Sequence, residues 1–414
     1  MAMMTVLALR EAGLCKPKEV EAIQSTQRSI MLDTCKLKDF ARSHNGGVNC
    51  VELELVEGRY LLTGGGKGAI VIYDTWNCSG IPQHQYEVVS SVSTEHKHKF
   101  SVETLQWYPF DNGLFTSSGS DKVLKIWDAN TLVPAETYEF SGIVYSHHMS
   151  TCATEHNLII VGTSSSQAKL IDMRTGSSIQ ILRGHNDSVY CVQWSPCLPF
   201  VVTTGSLDGK ILFWDIRMAK GQMLALDQHN GAKSVGCAHT GHVLATKFLE
   251  TGYGLLSYGS DGVVRFWDTF SGTNMLVNYG KVYNDVQRCL KMAVSSATNE
   301  PVLYIPEGEK IKSFDVLSGQ HIKTLSGHFR QVNCCHYNPF THEVYSGSND
   351  RNLLVWTPDH RAESLYLQDL EQPKPKSSHG MSNGVAASSS QTASTGQNML
   401  SSVLADTWSD DDED

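Results

Sequence analysis

A histidine, a valine four residues on, and an aromatic residue 28 or 29 after the histidine recur along this chain, and the aromatic is usually followed by aspartate. His44, Val48 and Tyr73-Asp74 form the first set, and His98, Val102 and Trp127-Asp128 the second. His185, Val189 and Trp214-Asp215 follow, then His239, Val243 and Trp267-Asp268, and finally His328, Val332 and Trp356. Two weaker copies end in Ile171-Asp172 and Phe314-Asp315. The closing aspartates fall roughly 48 residues apart. A unit of that length cannot bury its own apolar face, so neighbouring units must stack to build a shared core.

Each unit reads as a small antiparallel sheet. Val189 to Trp194 is an inner strand with apolar residues on both faces, ended by Ser195-Pro196. Phe200 to Thr204 is a second β-branched run, Leu207-Asp208-Gly209 a tight turn, and Lys210 to Asp215 a third strand. The period and the terminal Trp-Asp resemble the WD40 family. The expected fold is therefore all-β: a seven-bladed WD40 propeller over residues 32–358, with an N-terminal helix pair in 1–31 and a disordered, Ser-rich and acidic tail in 359–414. Blade seven has three strands of its own, so the run Ile30 to Phe40 is expected to supply its outer strand and close the ring.

The repeated histidine, the turn aspartate and a strand hydroxyl share their composition with a catalytic triad, but a triad occurs once per site. Four copies point to a structural network that satisfies buried polar groups. Its members are His98, Asp121 and Trp127; His185, Asp208 and Trp214; His239, Asp261 and Trp267; and His328, Asp350 and Trp356. Thr204 or Ser206 supplies the hydroxyl in blade four. Blade one departs, with Lys67 at the turn position. Blades three and six lack the His and Asp, so their outer strands are expected to be held less tightly.

Several motifs have plainer readings. Gly64-Gly65-Gly66-Lys67-Gly68 lacks Walker spacing and sits where other blades turn. His96-Lys97-His98 and His147-His148 have no nearby cysteine cluster to complete a metal site. The eleven cysteines form no C-x-x-C pair, and the chain reads as reduced and intracellular. No cofactor and no membrane span are expected. Net charge is −10, which does not favour direct nucleic-acid binding but leaves room for a local basic patch.

The strongest functional signal is a tandem Asp-x-Arg. Blade four ends in Trp214-Asp215-Ile216-Arg217 and blade three in Ile171-Asp172-Met173-Arg174. Each aspartate is expected to steady its arginine, leaving Arg217 and Arg174 on one rim. Thr5 to Ala12 and a segment opened by Pro17 read as two helices. On the second, Val20, Ile23, Gln27 and Ile30 share a face that either caps the disc or docks into a partner's groove.

A helix pair with tandem Asp-x-Arg boxes on a propeller resembles the substrate receptors of cullin-RING ubiquitin ligases. Val56 to Tyr60, Ser101 to Thr104, Gln106 to Pro109, Val144 to Ser150, Leu226 to Gly231, Leu276 to Val282 and the acidic end around Trp408 narrow the likeness to the Cockayne syndrome group A family. The resemblance implies a non-enzymatic receptor in the nucleus, acting in transcription-coupled nucleotide excision repair. It implies docking to damage-specific DNA-binding protein one, the adaptor that carries cullin-four and the RING subunit. Its further implied partners are the Cockayne syndrome group B ATPase and stalled RNA polymerase II, with no sequence-specific nucleic-acid contact. The alternative is a non-ligase WD40 scaffold in signalling or chromatin.

Overall fold

The computed structural model describes residues 16–358 apart from 36, 80–83, 219–220, 232–235, 285–287 and 296–299. The first expected helix, the acidic tail and a separate unit Leu370–Asp414 lie outside the described residues.

Seven sheets follow one another along the chain, antiparallel except for one strand added to the first. Blade four shows the pattern: Val189–Trp194 is inner, Val201–Ser206 second and Ile211–Asp215 third. Period-two burial is lost on these strands because both faces are covered by neighbouring blades, and the second strand is buried throughout. The tight turn before the third strand needs a left-handed residue, and Gly209 supplies it at φ +77°. Adding a Cβ there would place it 2.5 Å from the His239 carbonyl oxygen of the next blade.

Ring closure uses the run before blade one, but the run divides. Asp33–Thr34 pairs antiparallel with Leu353–Thr357, placing Thr34 opposite Trp356. Lys38–Phe40 then crosses to blade one and pairs parallel with the outer strand His84–Ser91, giving that sheet five strands. A single run thus covers one sheet edge and caps another.

The outer strands correct one expectation. Blade three keeps a full outer strand, Ser178–Arg183, and blade six keeps His321–Ser326. Among the described residues, blade four, which has the complete network, retains only Leu224–Ala225, and blade five only isolated bridges at Lys281 and Asn274. The reason lies in what the network joins. It ties the loop before the inner strand to the second and third strands, and it never reaches the fourth. Outer pairing is set instead by the connecting segment. In blade four that segment turns on Asn230 and Gly231 at positive φ, with Asp227 accepting from the His229 and Gly231 amides.

Candidate docking face

Four networks fix the blades on which the surface is built. In blade four the Trp214 indole donates to Thr204 Oγ1 at 2.8 Å, and Thr204 lies 2.7 Å from His185 Nε2. His185 Nδ1 reaches Asp208 at 3.3 Å. Ser117, Ser257 and Ser346 take the place of Thr204 in blades two, five and seven. There His98 meets Asp121, His239 meets Asp261 and His328 meets Asp350, at 2.9, 3.1 and 2.9 Å. Burial alone would raise the Asp208 and Asp350 carboxyls, but the histidine and backbone N–H bonds hold both down to about 2. Asp121 and Asp261 are lowered in the same way. Every ring nitrogen of these histidines is occupied inside the blade, which leaves them nothing to offer a substrate.

The other conspicuous histidines are also committed. His147 lies between Thr116 and Ser118, and His148 Nδ1 accepts from the Trp194 amide. Gly64 and Gly65 lie in a strand, and Gly68 turns at φ +77°. The throat of the central channel is narrow, about 90 Å³, and Lys291 Nζ donates across it to Thr104 Oγ1 at 3.0 Å.

α1, Pro17–Ile30, lies against blades six and seven. The contact is more polar than its sequence suggests. Tyr304 OH donates to the Ser29 carbonyl at 2.8 Å, Ser29 Oγ meets Tyr337 OH at 3.3 Å, and Ser25 Oγ lies 3.4 Å from His342 Nε2. Ser25 and Ser29 are buried against the disc, although they lie roughly 140° and 180° around the helix from Val20, which is buried too. Of the expected apolar face, Val20 is buried, Ile23 and Gln27 are half-buried and Ile30 is exposed.

Asp215 and Arg217 form a fork. Arg217 Nε donates to Oδ1 at 3.0 Å and Nη2 to Oδ2 at 2.7 Å, while the guanidinium stacks 4.6 Å from the Phe200 ring centroid. The Arg217 bonds hold the Asp215 carboxyl below its usual range. Although anchored, the Arg217 side chain stays 62 % exposed. Arg174 differs from the expectation. The Asp172 carboxylate is spent on its own turn, accepting from the Arg174 amide and from Thr175 Oγ1, and the Arg174 guanidinium donates no bond to it. A second fork was not visible in the Asp-x-Arg pattern. Arg59 clasps Asp74 at 2.6 to 3.1 Å and lies over the Tyr60 and Trp76 rings. Its partner is on the next strand, since Tyr60 pairs with Asp74. The signal was an arginine one residue before the second strand of a blade that closes on Asp.

These features share one end of the strands. Arg217 follows the third strand of blade four, where Asp215 pairs with Val201 at the start of the second strand. His342, under α1, immediately precedes the second strand of blade seven. The loops at this end also carry exposed apolar side chains: Phe110, Leu198, Tyr253, Phe270, Leu317 and Phe340. Between them the channel widens to a mouth of about 630 Å³ lined by Glu52, Trp107, Gln193, Lys247, Met292 and Tyr337. Exposed apolar side chains on these loops, beside an arginine held in place by its aspartate, make this end of the strands the candidate docking face.

Residues 89–128, 176–215, 232–268 and 319–357 match the family described as WD domain, G-beta repeat. The chain is 30% identical over 435 residues to WD repeat-containing protein ATCSA-1 of Arabidopsis thaliana, covering 87% of this chain and 96% of the plant protein. It is 28% identical over 145 residues to Radiation-sensitive protein 28 of Saccharomyces cerevisiae, covering 34% of this chain and 28% of the yeast protein. It is 25% identical over 227 residues to Histone acetyltransferase type B subunit 2 of Debaryomyces hansenii, covering 50% of this chain and 52% of that protein.

Proposed function

The chain belongs to the WD40 repeat family, and from that premise we propose that it is the substrate-recognition subunit of a cullin-RING ubiquitin ligase acting in transcription-coupled nucleotide excision repair. The observation that carries the reading is the convergence on one face of α1, the exposed Arg217 fork and a ring of exposed apolar side chains. Near full-length similarity to the plant protein named ATCSA-1 supports it, as does the name of the radiation-sensitive yeast relative. On this reading the α1 face binds damage-specific DNA-binding protein one with cullin-four and the RING subunit. The rest of the disc is left for the Cockayne syndrome group B ATPase and stalled RNA polymerase II, in the nucleus. Ubiquitin chemistry belongs to the RING and its conjugating enzyme.

The test is a pull-down from cell extract with Arg217→Glu. An acid in place of the fork faces groups arranged for a cation, and the loss is roughly thirtyfold in affinity for a hot-spot arginine. Adaptor and cullin disappear from the eluate while other partners remain. Deleting residues 1–30 has the same effect. Retention of the adaptor at wild-type strength by both folded variants would leave the non-ligase scaffold as the better reading.

A further inference from the structure

Blade one carries the repeat's histidine without the repeat's aspartate. His44 Nε2 lies 2.8 Å from Thr63 Oγ1, as the other four histidines lie against their hydroxyls. In those blades the turn aspartate stands four residues after the hydroxyl and occupies Nδ1. In blade one that position is Lys67, and His44 Nδ1 is buried with no hydrogen-bond partner among the described residues. The position beside the ring is again a glycine: a Cβ on Gly65 would lie 2.7 Å from His44 Nδ1, much as one on Gly119 would approach both His98 Nδ1 and the Asp121 carboxylate.

The surroundings reverse the charge of the chain. Two adjoining hollows of about 620 and 500 Å³ lie at the seam between blades seven and one, and they share Asn45, Arg330, Asn349 and Arg351. Lys67 lines the first; Arg42, His44 and the exposed Phe329 line the second. Arg42, Lys67, Arg330 and Arg351 are exposed, and their charged groups have no hydrogen-bond or ion-pair partner among the described residues. Four unpaired cations around one seam, in a chain of net charge −10, form a local positive field. The seam lies at the strand ends opposite the α1 face, since these loops precede the inner strands or join second to third strands.

We propose that this seam binds an acidic peptide segment of a partner protein, one carboxylate entering beside His44 to take the place of the missing turn aspartate. The four cations neutralise the segment, and Thr63 Oγ1, which now donates to the Val71 carbonyl, turns to donate to His44 Nε2. Nδ1 then carries the proton and donates to the incoming carboxylate, the arrangement of the other four blades. A carboxylate-bearing peptide fits better than a nucleic-acid backbone, because the place beside His44 Nδ1 is the one that a carboxylate fills in the other four blades.

The test is fluorescence anisotropy of the full chain with a labelled Gly-Ser peptide carrying four aspartates, against its asparagine counterpart and a single-stranded oligothymidine. The aspartate peptide binds best, and binding weakens as salt rises. Arg330→Gln weakens it about threefold. Lys67→Asp weakens it at least about tenfold, by adding repulsion and by filling the place beside His44 from within. The same Lys67→Asp variant melts roughly 2 °C higher, because the network is now complete. Loss of binding with a gain in stability separates a filled site from a damaged fold. Equal binding of the asparagine peptide would overturn the proposal, as would unchanged affinity or lowered melting in Lys67→Asp. Tighter binding of the oligothymidine would overturn it too, assigning the seam to phosphates.

Discussion

The Trp214 indole and the Thr204 hydroxyl meet at 2.8 Å with both side chains almost wholly buried. Thr204 therefore stands between a donor on the third strand and His185 before the inner strand, so one hydroxyl couples three segments of a blade.

Removing the indole opens a cavity and leaves that hydroxyl without its donor. Trp214→Ala is expected to destabilise the protein by roughly 3–5 kcal/mol. Trp214→Phe keeps most of the volume and should cost about half as much or less, since the lost hydrogen bond becomes its main defect. Urea denaturation of the two variants checks the order; equal losses would mean that the network contributes little beyond packing.

Arg217 presents the opposite case. Its side chain is largely exposed, although the Asp215 carboxylate that it holds is mostly covered. Arg217→Ala is expected to shift the melting temperature by no more than about 2 °C, as a typical surface change does. Phe200→Ala removes the ring under the guanidinium and should weaken adaptor capture although Arg217 is intact. A large melting shift in Arg217→Ala would place that residue in the structural frame and not on the docking face.

The sequence made the repeating parts readable because they follow from spacing: a histidine and a tryptophan 28 or 29 residues apart must meet if each blade is the same. Side chains joined across strands were harder to see. Arg59 and Asp74 are 15 residues apart, and only the register of two strands brings them together. The Asp172 carboxylate leaves its arginine because a threonine three residues on competes for it, whereas the matching place of blade four is Met218, which cannot. On α1, apolar spacing marks one face, but tyrosine hydroxyls on the disc bond the Ser29 carbonyl and hydroxyl, so the serine side is buried as well as Val20. The outer strands do not follow the network, because it joins three segments of a blade and leaves the fourth to the connecting chain.

Acid should act on this protein earlier than its carboxylates suggest. Burial pushes His44 down to about 4 and His148 and His336 to about 3, against 6.5 for a free histidine. These rings stay neutral in the fold and take up protons once the chain unfolds, so their contribution is complete above pH 6.5 and declines as pH falls toward the folded values. Each adds a slope of up to about 1.4 kcal/mol per pH unit in that window. The depressed Asp208 and Asp350 add a second loss that begins near pH 4 and runs to about 2. Denaturation at pH 7, 5.5 and 4.5 should show steadily falling stability, and His44→Gln should flatten the slope. A curve flat down to pH 4.5 would contradict the neutral, buried state of these rings.

Closure of the ring gives the last expectation. Asp33–Thr34 completes blade seven beside Trp356, and Lys323 Nζ fastens the segment through the Leu32 carbonyl at 2.8 Å and Asp33 at 3.1 Å. Phe40 packs its ring against Tyr73, Tyr86 and Tyr345, binding blade one to blade seven. Deleting residues 1–40 would strip both segments at once, exposing the edge of the third strand of blade seven and opening the aromatic cluster. That truncation should not melt cooperatively and should aggregate. Deleting residues 1–15, which removes neither strand segment nor α1, should leave the melting temperature within about 2 °C of the full chain. Equal melting of the 40-residue truncation and the full chain, followed by circular dichroism, would show that the propeller closes without its N-terminal run.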